Sequence, residues 1–138
     1  MASENKSSHR RGTHRPLPAK RRGWTHRATI AGHKIHLSTG EYEDGTLGEI
    51  FIDMYKEGAS FKGLLNAFAI VVSKDLQHGV PLSERVDTYV GTNFEPRGLA
   101  VGHPDVKWAS SIPDYIFRVL GMEYLDRDDL AIGGPTEQ

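Results

Sequence analysis

The chain contains no cysteine among its 138 residues. This absence excludes disulfide bonds, cysteine-ligated zinc sites and thiol catalysis by this chain. Long apolar runs are also absent, because the longest, at residues 67–72, is far shorter than the about 20 residues of a membrane-spanning helix. Residues 1–15 are polar and basic and contain no apolar core of a secretory signal. We therefore expect a cytoplasmic protein with no membrane association.

Charge is distributed unevenly along the chain. Residues 1–27 contain eight Arg and Lys residues and one acidic residue, whereas residues 28–138 contain nine basic and seventeen acidic residues. A basic segment ahead of an acidic body indicates either an arm that seeks anions or a tail that folds back onto its own domain. Both alternatives are kept.

Composition also divides the chain into segments. Residues 1–20 carry almost no apolar side chains, and Pro16 and Pro18 favour extended backbone there. We predict a disordered basic N-terminal tail over residues 1–20, one folded domain over residues 21–131 and a frayed C-terminus over residues 132–138.

Alternating polar and apolar residues predict three strands. Residues 25–30 and 34–37 alternate and are separated by a turn that contains Gly32, which is typical of a hairpin. Residues 47–54 predict the third strand, with Ile50 and Ile52 on one face. Residues 91–105 are rich in Gly, Pro and Asn, so we expect an ordered or half-ordered connection there.

The clearest helix is expected between residues 60 and 79, with Ser60 as its N-cap and Gly79 and Pro81 as its stop. Apolar residues recur there at steps of three and four and predict one buried stripe. The stripe consists of Phe61, Leu64, Leu65, Phe68, Val72 and Leu76.

Two further helices are predicted. The first begins at Leu82 and continues through Tyr89, and the second spans residues 113–124 with Ser111 as a possible cap. Together with the strands, they predict an α+β fold in which a small antiparallel three-stranded sheet packs against about three helices.

Histidines and acidic residues were considered as metal ligands. His33 and His36 lie three residues apart on a predicted strand, which places them on opposite faces, and several other histidines lie in or near the tail. A metal site needs three or four converging ligands, so we expect none. An acidic patch could bind Mg²⁺ or supply paired carboxylates, but a solvated loop or a docking surface for the basic tail is favoured. Its members are Glu41, Glu43, Asp44 and Glu49.

The tail combines cations with one aromatic residue, a pattern that suits phosphate contacts and base stacking on single-stranded nucleic acid. The candidate anion-contacting residues are Arg10, Arg11, Lys20, Arg21, Arg22 and Trp24. The alternative is a solubilising arm whose tryptophan anchors on the core. A protein interface is a separate prediction, because Trp and Tyr often anchor interfaces. Its candidates are Phe94, Trp108 and Tyr115.

Five segments resemble one known protein family in their order and composition. They are residues 17–25 (LPAKRRGWT), 45–54 (GTLGEIFIDM), 76–82 (LQHGVPL), 93–96 (NFEP) and 114–118 (DYIFR). Over about residues 17–131 the chain resembles the C-terminal TSCPD-type domain of class II, adenosylcobalamin-dependent ribonucleotide reductases. The most specific of these segments is residues 45–54.

The motif that names the family is present as Ser110-Ser111-Ile112-Pro113-Asp114, with isoleucine where many members have cysteine. In the full-length reductases an upstream barrel holds substrate, cobalamin and the radical cysteine, so the resemblance assigns no catalytic residue here. It implies an accessory protein, not catalytic by itself, that associates with the reductase large subunit or with a second copy of itself. Adenosylcobalamin would enter only through a full reductase.

Two alternatives to the accessory role remain open. One is a small nucleotide- or nucleic-acid-binding module that uses the basic tail. The other is a subunit that contributes to ribonucleotide reduction only within a larger assembly.

Overall fold

Five strands and three helices follow one another within residues 9–134. The structure, a computed structural model, describes residues 9–134. The elements are β1 (Thr25–Ile30), β2 (His33–Glu41), β3 (Leu47–Met54), α1 (Ala59–Gln77), α2 (Leu82–Tyr89), β4 (Gly98–His103), β5 (Val106–Ala109) and α3 (Ile112–Leu125). A short 3₁₀ helix, Asp128–Leu130, follows α3.

The strands form one antiparallel sheet in the order β3-β2-β1-β4-β5. β1 and β2 form the predicted hairpin and pair from Thr25 opposite Ser38 to Ile30 opposite His33. β4 joins the other edge of β1, where Val101 lies opposite Thr29. The N-terminal hairpin is therefore central, and β3 and β5 are the edge strands.

The prediction of a three-stranded sheet is wrong, although the α+β class and the three helices agree with the structure. The two missed strands, β4 and β5, begin within residues 91–105 or just after them, where glycine and proline suggested an irregular connection. Gly102 has a different role: a Cβ atom there would lie 2.6 Å from the carbonyl oxygen of Arg27, and its φ is +142°. Glycine allows β4 to approach β1 closely.

The helices begin and end for local reasons. α1 has Gly58 as its N-cap, without a side-chain cap, so the prediction of Ser60 was wrong. It ends in a Schellman motif in which the N–H of Val80 donates to the carbonyl of Asp75 and Gly79 has a φ of +83°. The Ser111 cap was predicted correctly, because its side chain accepts from the N–H of Asp114.

The sheet has two unlike faces. The covered face packs against the helices, and six of its apolar side chains on β1, β2 and β3 are at most 7% exposed. These side chains are Ala28, Ile30, Ile35, Leu37, Ile50 and Ile52. The open face carries the alternate residues, among them exposed Arg27, Asp53 and Phe51, and Phe51 is 56% exposed. This alternation follows from the two-residue period of a strand.

Part of the stripe predicted for α1 is not buried. Leu65, Val72 and Leu76 lie in the core, but Leu64 is 66% exposed. In residues 9–134, no helix combines the length and the apolar content needed to cross a membrane.

Candidate functional site

Residues 9–22, which we call the basic segment, lie against the rest of the domain. The N–H of Gly12 donates to the carbonyl of His78 (2.6 Å), and the N–H of Arg15 donates to that of Gln77 (2.8 Å). A Cβ at Gly79 would lie 2.6 Å from the carbonyl oxygen of Arg10. Residues 10–15 therefore pack closely on the C-terminal end of α1.

Three cations of this segment are paired with carboxylates of the body. The pairs are Arg11 with Glu84, Arg15 with Asp44 (3.3 Å) and Arg21 with Glu49 (3.0 Å). The hydrogen bonds from Arg11 lower the pKa of Glu84. Burial tends to raise the pKa of Asp44, but hydrogen bonds from Thr46 and the charge of Arg15 hold it below its usual value. In the structure, part of the acidic patch is a docking surface for the basic segment.

The predicted disorder of residues 1–20 stays a prediction about the chain in solution. Residues 1–8 lie outside the described range, and residues 9–20 make the contacts given above. Arg10, Lys20 and Arg22 are exposed and form no ion pair with any residue of the described range.

Trp24 belongs to the domain. Its ring is half-buried and stacks on Tyr124, with centroids 6.0 Å apart and planes 18° apart. The Tyr124 hydroxyl donates to Glu41 (2.5 Å), and its oxygen lies 3.1 Å from Oγ1 of Thr39. Burial, followed by the Glu41 hydrogen bond, raises the pKa of Tyr124. The ring face of Trp24 towards Tyr124 is thus occupied. Nucleic-acid contact by these residues stays a prediction.

Tyr115 lies in the core with 0% of its surface exposed. Its hydroxyl lies 2.7 Å from Nε2 of His26, and burial raises the pKa of Tyr115 to about 12. Burial, then the charge of His103, lowers the pKa of His26. A small cavity of about 240 Å³ borders both histidines and Glu123. A side chain without exposed area offers a partner no contact, so Tyr115 has a structural place in this conformation.

Phe94 and Trp108 remain available at the surface. Phe94 is 47% exposed, and its N–H donates to the carbonyl of Ser110 (3.0 Å). Trp108 is half-buried on β5 and lies opposite Leu99, which is 54% exposed. The structure thus brings the Phe94 loop beside β5.

The segment Ser110-Ser111-Ile112-Pro113-Asp114 builds the start of α3. The Asp114 carboxylate is fully buried and accepts from the N–H groups of Gly91 (2.7 Å) and Ser110 (3.0 Å). It also pairs with Arg118 at 3.0 Å. Ile112 is 1% exposed and fills the core. In this chain the segment fixes a loop to a helix and presents no reactive group.

An apolar strip on the outer side of α1 was not predicted from the sequence. Its members are exposed, with Leu64 at 66%, Val71 at 57% and Ile70 at 49%, and Ala67 lies among them. The spacing of Leu64, Ala67 and Val71 at steps of three and four was visible in the sequence. It was overlooked because a single buried stripe was expected. We call these four residues the outer strip of α1.

Histidines and carboxylates of residues 9–134 do not gather into a metal site, since no group of three or more is suitably placed. His33 contacts Glu57 (2.6 Å), and the ring of His36 lies edge-to-face against Tyr55 on the other face of the sheet.

The chain is similar to vitamin B12-dependent ribonucleotide reductases. It is 54% identical over 121 residues to that of Bradyrhizobium diazoefficiens, covering 88% of this chain and 10% of the relative. It is 54% identical over 115 residues to that of Agrobacterium fabrum, covering 83% and 9%. It is 41% identical over 113 residues to that of Rhodopirellula baltica, covering 82% and 11%. The chain spans about a tenth of these relatives, and no solved structure matches it significantly.

Residues 9–124 match the TSCPD domain family, which confirms the resemblance given by the sequence segments. The match runs from the basic segment on α1 through the sheet to the end region of α3. The chain belongs to the TSCPD domain family.

Proposed function

We propose that the chain is a cytoplasmic accessory protein that binds a B12-dependent ribonucleotide reductase and so serves deoxyribonucleotide supply. The observation that carries this proposal is the 54% identity to a segment that makes up a tenth of such reductases. In this proposal, the matching segment of such a reductase contacts the rest of its own enzyme, and the chain described here presents the same surfaces to a reductase in trans.

The chain does not perform the reaction by itself in this proposal. Ribonucleotide reduction, as the resemblance implies, needs a thiyl radical and a reducing thiol pair, and the sequence contains no cysteine. Every thiol, and the adenosylcobalamin, must then come from the reductase. The chain contributes binding and positioning.

The outer strip of α1 supports the docking step. Three large aliphatic side chains on one exposed helix face are 49–66% exposed, and such a face packs well into a groove of a partner. Phe94 and Trp108 offer a second contact, at the far edge of the sheet from β3. Tyr115 takes no part, because it has no exposed area.

The test uses the Agrobacterium fabrum reductase from which the segment matching this chain has been deleted. We expect the purified chain to form a complex with the truncated enzyme in sedimentation velocity and to restore its B12-dependent turnover. The intact reductase, which keeps its own segment, is the control and should respond much less. Absence of both complex and turnover would remove the proposal, whereas self-association of the chain alone would favour the homo-oligomer.

Variants assign the surface. Leu64→Gln with Val71→Gln should weaken the complex about tenfold or more, because buried apolar anchors dominate interface energies. Phe94→Ala with Trp108→Ala should have a smaller effect of the same sign. Lys62→Gln is the matched control, because Lys62 is exposed on α1 about half a turn away from Leu64. If all these variants bound the truncated reductase as tightly as the unsubstituted chain does, neither surface would be part of the interface.

A second candidate is a nucleic-acid-binding module that uses the basic segment. It is supported by Arg10, Lys20 and Arg22, which are exposed and form no ion pair with another residue in the described part of the chain. It predicts that binding to a single-stranded oligonucleotide falls steeply with salt and is lost when residues 1–22 are deleted. The reductase complex should survive Arg10→Gln with Lys20→Gln and Arg22→Gln, which keep the backbone contacts of residues 10–15 with α1, whereas oligonucleotide binding should weaken. The two candidates therefore give opposite results with one substituted chain.

A further inference from the structure

We propose that a cleft on the open face of the sheet binds a nucleoside phosphate, whose phosphate lies between Arg27 and Lys34 and whose base packs on Tyr55. This site goes beyond the docking role and does not depend on it. We call it the open-face cleft.

The cleft lies where β4 crosses beside the central hairpin. Its volume is about 410 Å³, within the range of about 300–1,000 Å³ that small-ligand sites occupy. Arg27 lies opposite His36 in the register of β1 and β2, and Thr29 lies opposite Lys34. Val101 lies opposite Thr29 on the other side. Two adjacent rows of the sheet thus supply the lining.

The two cations of the cleft are unpaired. Arg27 and Lys34 are exposed, and neither has an ion pair among residues 9–134, whereas Arg11, Arg15 and Arg21 of the basic segment are each paired. A guanidinium and an ammonium that line the same cleft are suited to a phosphate group. The charge that a bound anion would meet is therefore in place.

Tyr55 gives the cleft a flat apolar surface. It follows β3, its N–H donates to the carbonyl of Lys34 (3.3 Å), and its side chain is 49% exposed. Its ring is held by an edge-to-face contact with His36, with centroids 4.7 Å apart and planes 77° apart. A fixed and half-exposed aromatic ring is a platform on which a base can stack.

The surroundings favour a small anion over a nucleic-acid strand. Asp53 lies opposite His36 in the row that holds Arg27, so this row places a carboxylate on β3, with His36 between it and Arg27. A strand would need further cations along its backbone. The wall formed by Thr29, Val101 and Gly102 is neutral and suits a sugar or a base. A single nucleoside phosphate has both a phosphate for the two cations and a sugar and base for the neutral wall and Tyr55.

The test is a titration of the full ¹⁵N-labelled chain with ADP, adenosine and inorganic pyrophosphate, each up to about 1 mM. We expect ADP to shift amide resonances of Arg27, Lys34 and Tyr55, and to bind more weakly as salt rises. Pyrophosphate should bind more weakly than ADP, and adenosine more weakly still. Absence of shifts at these three residues with ADP would overturn the proposal.

Matched variants separate the cleft from general charge effects. Arg27→Gln with Lys34→Gln should weaken ADP binding about tenfold or more, since charge-assisted hydrogen bonds to phosphate are lost. Arg10→Gln with Lys62→Gln removes the same two residue types elsewhere and should change affinity less than about twofold. Equal loss in both double variants would show non-specific attraction and contradict the site.

Tyr55→Leu tests the base-binding half. It should weaken ADP about fivefold or more and leave pyrophosphate unchanged, because stacking on an aromatic ring contributes only when a base is present. If pyrophosphate bound as tightly as ADP and Tyr55→Leu had no effect on either, the cleft would be a site for free phosphate, and the nucleoside assignment would be wrong. All substituted residues in the cleft are exposed, so the variants should keep the dispersed spectrum of the folded chain.

Discussion

The two faces of the sheet use the same strands for different purposes. On the covered face, Ile35 and Leu37 of β2 are 0% exposed, and the helices pack over them. Between and beside them, Lys34, His36 and Ser38 point to the open face, where no helix of residues 9–134 packs over them. Burial of apolar surface accounts for the first set, at about 25 cal/mol for each Å² removed from water. It does not account for the second, which is where ligand chemistry is expected.

Residues of the motif that names the family are also buried on the covered side of the sheet. Asp114, Ser111 and Ile112 are at most 1% exposed and hold the start of α3 against the sheet. Conspicuous residues in a sequence are therefore not necessarily the residues that meet a partner. In this chain the inconspicuous residues of the open face and of the outer strip of α1 remain available.

The largest effect should come from Asp114→Ala. It leaves Arg118 without its buried partner and two N–H groups without their acceptor, so the free energy of unfolding should fall by about 3–5 kcal/mol. Asp53→Ala is the matched change on the open face and should cost less than about 1 kcal/mol. Urea titration measures both. Equal losses would erase the distinction between the faces.

Leucine gives a second matched pair. Leu37→Ala on the covered face should lower the free energy of unfolding by about 3 kcal/mol, because it leaves a cavity in the core. Leu99→Ala on the open face, where the side chain is 54% exposed, should cost less than about 1 kcal/mol. Thermal unfolding monitored by circular dichroism compares them. A loss at Leu99 as large as that at Leu37 would mean that another copy covers the open face.

Alternation predicted the central sheet well. Residues 25–30 and 47–54 are strands at the predicted bounds, because half-buried strands show their two-residue period directly. Helix α2 also begins at Leu82 and ends at Tyr89, as predicted. Local chemistry determines these elements, so the sequence contains the information.

The missed features depend on contacts between distant residues. β4 contains Gly98 and Gly102, which locally resemble turn residues, but Gly102 is required by the close approach to β1 and Gly98 lies close to Ala31 in the turn between β1 and β2. The exposure of Leu64 depends on which side of α1 meets β3, and periodicity alone could not decide this. The paired state of Arg21 and the unpaired state of Arg27 likewise become visible only when the fold is known.

Lowering the pH should reduce the stability of the folded chain through protonation of His26, which lies on the covered side of the sheet. Burial lowers its pKa in the folded chain, so the unfolded chain binds the proton more tightly. The stability contributed by neutral His26 is then complete above the ordinary value of about 6.5 and is lost as the pH falls below it. NMR titration of the His26 ring together with thermal midpoints at several pH values provides the measurement. A His26 pKa at or above its ordinary value would contradict this assignment.

The smallest effect concerns two arginines. Arg21→Gln removes the pair with Glu49 and should cost about 0.5 kcal/mol at low salt and less at high salt. Arg27→Gln, which removes an unpaired cation, should leave stability unchanged within error. Urea titrations at two salt concentrations test the pair. A clear loss for Arg27→Gln would imply a partner for Arg27 within the chain and would weaken the case for the open-face cleft.

Cysteine labelling tests most directly whether the outer strip of α1 binds a B12-dependent reductase, because the sequence contains no cysteine of its own. Val71→Cys on the outer strip of α1 and Lys62→Cys away from it each introduce one thiol, which maleimide labels at a rate read by intact mass. We expect the truncated Agrobacterium fabrum reductase to slow labelling at residue 71 and to leave the labelling rate at residue 62 unchanged. Equal labelling rates at residue 71 with and without the reductase would contradict it.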